Sequence, residues 1–393
     1  MRALLRLTLT PGLGPILIER LLQAFGNAER VLGASASALE GIKGIGAGMS
    51  AKIVRGMKES EALVDEELAR LDTLGARVLV RGEAGYPALL TPIPSAPPLL
   101  MIRGSLEPEG LDRYPVALVG SRRCTAYGIE QAERFAGAFA TSGLTVVSGG
   151  ARGIDTAAHR GALRAGGRTI VVLGCGLGRA YPPENEELFE RIVAEDRGAI
   201  VSELPAMTPP SAENFPARNR ILSGLSLGVL VIEAGARSGA LITARQALED
   251  QGREVFALPG RADSEASRGS LALLKSGEAA VATEPGDVIG PLEAAARHHF
   301  EGTHAARYVE PLGATTSSML ERGDDQGAPR APAEEIPAAS EEQRRLLAAL
   351  DGEMTTDELT RASGLEAGAV RAELTRLELA GRVRRRGSRV SRA

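Results

Sequence analysis

Between Tyr114 and about Pro291, short apolar runs alternate with longer amphipathic stretches. The runs Val116–Val119, Leu144–Ser148, Thr169–Leu173, Ala199–Ser202, Gly228–Ile232 and Glu254–Leu258 have strand length and little internal polarity. Apolar positions at i, i+3 and i+4 predict helices near Tyr127–Ser142, Ile154–Ala165, Glu184–Ala194, Asn219–Leu225 and Ser238–Asp250. Strands apolar on both faces, separated by helices, imply a buried parallel sheet with right-handed crossovers. The pattern predicts an α/β, Rossmann-like core over residues 111–291.

The flanks carry different patterns. Residues 1–75 read as helical and contain two related turns, Leu9-Thr-Pro-Gly-Leu-Gly-Pro before Ile16–Phe25 and Ile42-Lys-Gly-Ile-Gly-Ala-Gly before Met49–Met57. Gly12/Gly14 and Gly44/Gly46 lie 32 residues apart, which suggests a duplicated unit of the helix-hairpin-helix (or SAM-like) kind. Such glycines let backbone N–H groups approach a DNA phosphate; a small bundle that merely keeps the shape is the equal alternative. Residues 76–110, with a strand at Arg77–Val80 and prolines between Tyr86 and Pro98, read as a bridging segment. Residues 292–339 are rich in Pro, Ala, Ser and acid towards their end and read as a flexible linker. Helices at Glu341–Leu350, Thr356–Ser363 and Ala367–Ala380, then the hairpin sequence Gly381-Arg-Val-Arg-Arg-Arg-Gly-Ser-Arg-Val-Ser, predict a winged helix over 340–393.

Composition narrows the function classes. At 393 residues the chain is long enough for two or three domains, and no apolar run reaches the ~18 residues of a membrane span. The N-terminus is too soon broken by Pro and Gly to read as a signal peptide. Cys124 and Cys175, without CxxC spacing, exclude a Cys-rich zinc module and fit a reducing compartment, so a cytoplasmic location is expected. The net charge is −4, but residues 291–340 hold 8 acids against 4 bases, so the deficit sits mostly in the linker and a polyanion site would be a local patch.

In an open parallel sheet, ligands bind at the carboxyl ends of the strands. The turns expected there bring Gly120, Ser121, Arg122 and Arg123; Ser148, Gly149, Gly150, Arg152 and Gly153; Phe215, Arg218, Asn219 and Arg220; and Arg237, Ser238, Gly239 and Thr243. Small residues expose backbone N–H groups, and guanidinium forks match phosphate oxygens. No GxxxxGK[ST] or GxGxxG is present, which disfavours a P-loop NTPase and ordinary dinucleotide binding. His159 reads as a packing or capping residue, Asp155 as a helix cap and the cysteines as small core hydrophobes; Glu233, ending a strand, is a modest signal for a catalytic acid. No cofactor, metal or membrane contact is expected.

Val116-Ala-Leu-Val-Gly-Ser-Arg-Arg, Val147-Ser-Gly-Gly-Ala-Arg-Gly-Ile-Asp-Thr-Ala-Ala-His, Val172-Leu-Gly-Cys-Gly-Leu, Tyr181-Pro-Pro-Glu-Asn, Phe215-Pro-Ala-Arg-Asn-Arg-Ile, Ser238-Gly-Ala-Leu-Ile-Thr-Ala and Val255-Phe-Ala-Leu-Pro-Gly occur in this order. Together they resemble the DNA processing A (DprA, or Smf) family, over roughly 175 residues that span the core. Gly150 stands where many members have Leu, and Glu203-Leu-Pro replaces a more usual Glu-Tyr-Pro. The resemblance implies a non-enzymatic, single-stranded DNA-binding recombination mediator that protects incoming DNA in natural transformation and helps load RecA. It also implies a homodimer formed through the Rossmann domain; Leu271 and Leu274 are the candidate dimer residues. Phe215 is open to two readings, base packing and burial. The winged helix reads either as an auxiliary contact to duplex or single-stranded DNA or as a protein-interaction wing. The rival is a nucleotide-binding hydrolase resembling the lysine-decarboxylase-like phosphoribohydrolases, although the PGGxGTxxE motif of those enzymes is missing. A transcription regulator rests on the winged helix alone.

Overall fold

The computed structural model describes residues 1–300 (without the side chains of 294 and 297–300) and, further on, 341–350, 352, 354–365, 370, 373–374, 377, 382–386 and 389–392. The chain divides into two compact units, Met1–Ala314 and Thr315–Ala393.

The first unit opens with helices α1 (Arg2–Thr8), α2 (Pro15–Phe25), α3 (Ala28–Leu32), α4 (Ala36–Glu40) and α5 (Ala47–Thr73), around a core of Leu7, Leu13, Ile18, Leu21, Leu39, Ile45 and Ile53. The two glycine turns share one backbone conformation. Gly12 and Gly44 take φ +88° and +98°, a region open mainly to glycine, and Gly14 and Gly46 cap α2 and α5 at φ/ψ −90/171° and −94/172°. A Cβ on Gly12 would lie 3.9 Å from the Met49 sulfur, and one on Gly44 3.5 Å from Leu17. Each turn therefore faces the residue five positions beyond the first glycine of the other, so the duplication packs as a reciprocal pair. Helix α5 runs far past the expected Met57. Its buried stripe continues through Ser60, Val64, Glu67 and Leu71, and the two polar members hide it from a hydrophobic pattern.

Residues 76–110 do more than bridge. They supply β1 (Ala76–Val80) and β2 (Leu99–Gly104), which join the main sheet antiparallel, β2 pairing with β6 (Gly198–Ser202). The parallel strands are β3 (Pro115–Val119), β4 (Thr145–Ser148), β5 (Thr169–Val172), β6, β7 (Gly228–Val231), β8 (Glu254–Ala257) and β9 (Ala280–Val281), in the order β1-β2-β6-β5-β4-β3-β7-β8-β9. Alternate residues of β3 feed opposite layers. Val116 and Leu118 pack under α6 (Ala126–Thr141), α7 (Ile154–Arg164) and α12 (Gly286–Phe300). Ala117 and Val119 pack under α9 (Asn214–Gly224), α10 (Ala240–Arg245) and α11 (Arg268–Ser276). Helix α8 (Glu186–Ala194) lies over β5 and β6, in a cluster that also holds Leu5, Val64 and Leu71 of the N-terminal helices.

Helix α9 starts five residues before the expected Asn219. Pro216 reads as a breaker but occupies the first turn, where an N–H has no intrahelical acceptor and its loss is harmless. Helix α12 runs to Phe300, beyond the expected linker start at 292; residues 301–339 lie outside the described residues. In the second unit, helices Glu341–Ala349 and Thr356–Ser363 accompany a three-stranded antiparallel sheet of Met354–Thr355, Val383–Arg386 and Arg389–Arg392. Thr355 and Glu358 form a reciprocal capping box, and Gly364 ends the helix at φ +65°. Of the expected third helix only residues 370, 373, 374 and 377 are described; the rest of Ala367–Ala380 lies outside the described residues. Among the described residues, no helix is long and apolar enough to cross a membrane.

Candidate nucleic-acid interface

Strands β3 and β7 are neighbours from which the chain departs in opposite directions, so their carboxyl ends frame a topological switch point. A cleft of about 1120 Å³ opens there. It is lined by Gly120, Ser121, Arg122 and Arg123 after β3, by Phe215, Arg218 and Asn219 of α9, and by Arg237, Ser238, Gly239 and Thr243 between β7 and α10. These eleven of the expected site residues are brought together. Arg122, Arg123 and Arg237 are exposed and form no ion pair with the described residues. The Arg122 guanidinium lies 4.6 Å over the Phe215 ring, which tilts against Tyr181 at 5.7 Å. Phe215 is thus half-buried, with one face closed by the Arg122 guanidinium.

Six expected residues do not line the cleft. Ser148 is buried and donates to the Leu118 carbonyl at 2.7 Å. Gly149 lies beneath the Arg218 guanidinium. Gly150, at φ +67°, leaves no room for a Cβ beside Val171 and Phe189, and Gly153, at φ +76°, lets the turn after β4 press against the Ser121 carbonyl. Gly149 and Gly150 are buried and shape the floor, while Gly153 is half-buried in the turn. Arg152 is exposed but forked onto Glu184, Nη2 donating at 3.0 Å. Arg220 turns away to the buried Glu203 at 2.6 Å.

Arg218 itself needs a correction. It is 5% exposed, and Nη1 donates to the Gly149 carbonyl at 2.7 Å and to the Val172 carbonyl. It ties α9 to the ends of β4 and β5 rather than standing free for DNA. Burial lowers its pKa to about 10 against the opposing pull of Asp155, while burial raises the Asp155 carboxyl against the pull of Arg218. His159 is fully buried with Nδ1 2.7 Å from the Thr169 hydroxyl, and desolvation first, then Arg218, push its pKa down to about 3. It is neutral and packed. Burial pushes the Cys175 thiol up to about 11 and the Cys124 thiol upward. Glu233 spends its carboxylate on Thr125, accepting from its N–H at 2.7 Å and its hydroxyl at 2.8 Å. Those bonds brace the start of α6. Among the described residues, no three metal-ligating side chains cluster.

The cleft, which Tyr181 lines as well, also contains a wall that the sequence pattern does not reveal, formed by Pro210, Ser211 and Ala212. Its signal is the proline pair Pro209-Pro210 just before α9, which reads only as a loop. On α11, Leu271 and Leu274 are half-buried, Leu274 against the core and Leu273 beneath.

The family model for DNA recombination-mediator protein A matches residues 77–293, and the DprA winged helix domain matches residues 328–388. The protein Smf of Synechocystis is 37% identical over 385 residues, covering 95% of this chain and 93% of its own. The DNA processing protein DprA of Streptococcus pneumoniae is 43% identical over 209 residues, 53% of this chain and 71% of that one. The crystal structure of DprA from Streptococcus pneumoniae superposes with a TM-score of 0.62 at 33% identity, covering 74% of this chain and 97% of that one.

Proposed function

From the premise that the chain belongs to the DNA recombination-mediator protein A family, we propose that its cleft holds single-stranded DNA through the sugar-phosphate backbone. The observation that carries this is the convergence of Arg122, Arg123 and Arg237, free of carboxylate partners among the described residues, on one cleft at the switch point. Exposed guanidinium groups beside small-residue turns suit phosphates without reading sequence. Two aromatics, Phe215 and Tyr181, line the cleft and pack on each other, which gives one small place for a base to stack, so contacts to the backbone dominate. The chain acts as a binding protein, without catalysis, in the cytoplasm; it works as a homodimer across α11, protects incoming strands in natural transformation and helps load RecA, with the winged helix as an auxiliary DNA contact. Glu233 is buried and braces Thr125 through both oxygens, a structural role that weighs against the hydrolase alternative.

The test is a fluorescence-anisotropy titration of labelled oligo(dT) at several salt concentrations, with duplex DNA and a nucleoside monophosphate as competitors. Tight binding that weakens steeply with salt and ignores the monophosphate is expected. Strong displacement by the monophosphate would replace the mediator reading with the hydrolase one.

A further inference from the structure

We propose that Glu67, on the N-terminal helical bundle, is a positioning residue for the proline-rich wall of the cleft, so that the bundle and the strand-binding site respond to one another; this rests on the reading of the cleft as a DNA site. Glu67 is 1% exposed, near the C-terminal end of α5, and a buried carboxylate is costly unless it is bonded. Its Oε1 accepts the backbone N–H of the fully buried Ala206 at 2.6 Å, and Arg70 Nη1 stands 3.7 Å from Oε2. The same backbone is held from the other side. Gly178 N–H donates to the Ala206 carbonyl at 2.9 Å, and Gly176 N–H donates to the Thr208 carbonyl at 2.9 Å. A Cβ on Gly176 would meet the Pro205 carbonyl at 2.1 Å, so the segment is clamped between α5 and the glycine turn after β5.

The residues beyond the clamp make it more than a structural tie. Pro209 and Pro210 come directly after Thr208, and proline fixes φ. Two of the φ angles between the clamp and the residues that line the cleft, Pro210, Ser211 and Ala212, are therefore fixed, and α9 starts two residues further on. The stiffened link carries a shift at Ala206 towards the wall. By linkage, a strand seated against the wall must in turn stabilise the Glu67–Ala206 contact.

The experiment uses the full chain with Glu67→Met, which keeps the volume and loses the acceptor, and Glu67→Gln, whose amide oxygen still accepts from Ala206. Oligo(dT) affinity, its salt slope and hydrogen exchange across residues 204–212 are read for each. The expected result for Glu67→Met is faster exchange in that segment and a Kd raised about tenfold, in the range of energetic coupling between linked sites. Its salt slope stays unchanged because no phosphate contact is lost, and Glu67→Gln restores both readouts. Should Glu67→Met fail to fold, Gly178→Ala carries the test. Its Cβ would press on the Met207 sulfur at 2.8 Å and the Ala206 carbonyl at 3.1 Å, and it must raise Kd in the same way. Unchanged Kd in a folded variant that exchanges faster at 204–212, or an unchanged exchange rate there, overturns the positioning role while the cleft reading stands. A wild-type protein without affinity for oligo(dT) overturns the cleft reading itself.

Discussion

Arg237→Ala offers the most quantitative check on the cleft. Arg237 is exposed on the turn between β7 and α10 and has no ion-pair partner among the described residues, so removing it strips a charge and little else. Each phosphate neutralised on a single strand adds about 0.7 to the slope of log K against log salt, so three arginines give a slope of about −2 and two about −1.4. Between 50 and 200 mM salt the wild type should therefore lose affinity by about eighteenfold and the variant by about sevenfold. Arg122→Ala should flatten the slope equally, but it also uncovers the Phe215 ring, so its affinity at low salt falls by less than that of Arg237→Ala. Arg152→Ala is the control: its guanidinium is already forked onto Glu184 outside the cleft. Anisotropy titrations at four salt concentrations measure all three slopes. An Arg237→Ala slope equal to wild type, or an Arg152→Ala slope as flat as the other two, would refute the placement of the DNA.

Buried His159 should make stability fall with acid: its folded pKa of about 3 lies below the ordinary 6.5, so the unfolded chain binds the extra proton between those values. That contribution is present above pH 6.5 and is lost by up to about 1.4 kcal/mol per pH unit below it, and urea midpoints at pH 7, 5.5 and 4.5 should show a shallower fall for His159→Phe than for the wild type. Glu233→Gln leaves one Thr125 donor poorly met and should cost about 1–2 kcal/mol in chemical unfolding while oligo(dT) still binds; loss of a nucleotide-hydrolysing activity in this variant would instead revive the enzyme reading. If α11 forms the dimer, Leu271→Glu should sediment as a monomer, and a variant that stays dimeric at equilibrium removes that face from the interface.

The parallel core is legible because each strand is apolar on both faces and each crossover helix keeps its stripe; β3 to β8 lie within one residue of their expected bounds. The structure held by polar or restrictive residues escapes the pattern. Helix α5 reads short because Ser60 and Glu67 interrupt its stripe, and both are buried because each has a partner: Ser60 donates to the Met57 carbonyl, and Glu67 accepts from Ala206. β2 is hidden directly behind a proline-rich stretch, since Pro97 and Pro98 precede its first residue without entering it. In the cleft, the arginine count is legible and the division of labour is not. Arg122, Arg152, Arg218 and Arg220 look alike in sequence, yet one covers an aromatic ring, two answer carboxylates and one braces strand ends. What decides among them is whether a carboxylate or carbonyl lies within reach of the fork, and Glu184 and Glu203 come from segments 32 and 17 residues away. Sequence therefore locates the edge of the sheet where phosphates would gather, and only tertiary pairing says which cations remain free to meet them.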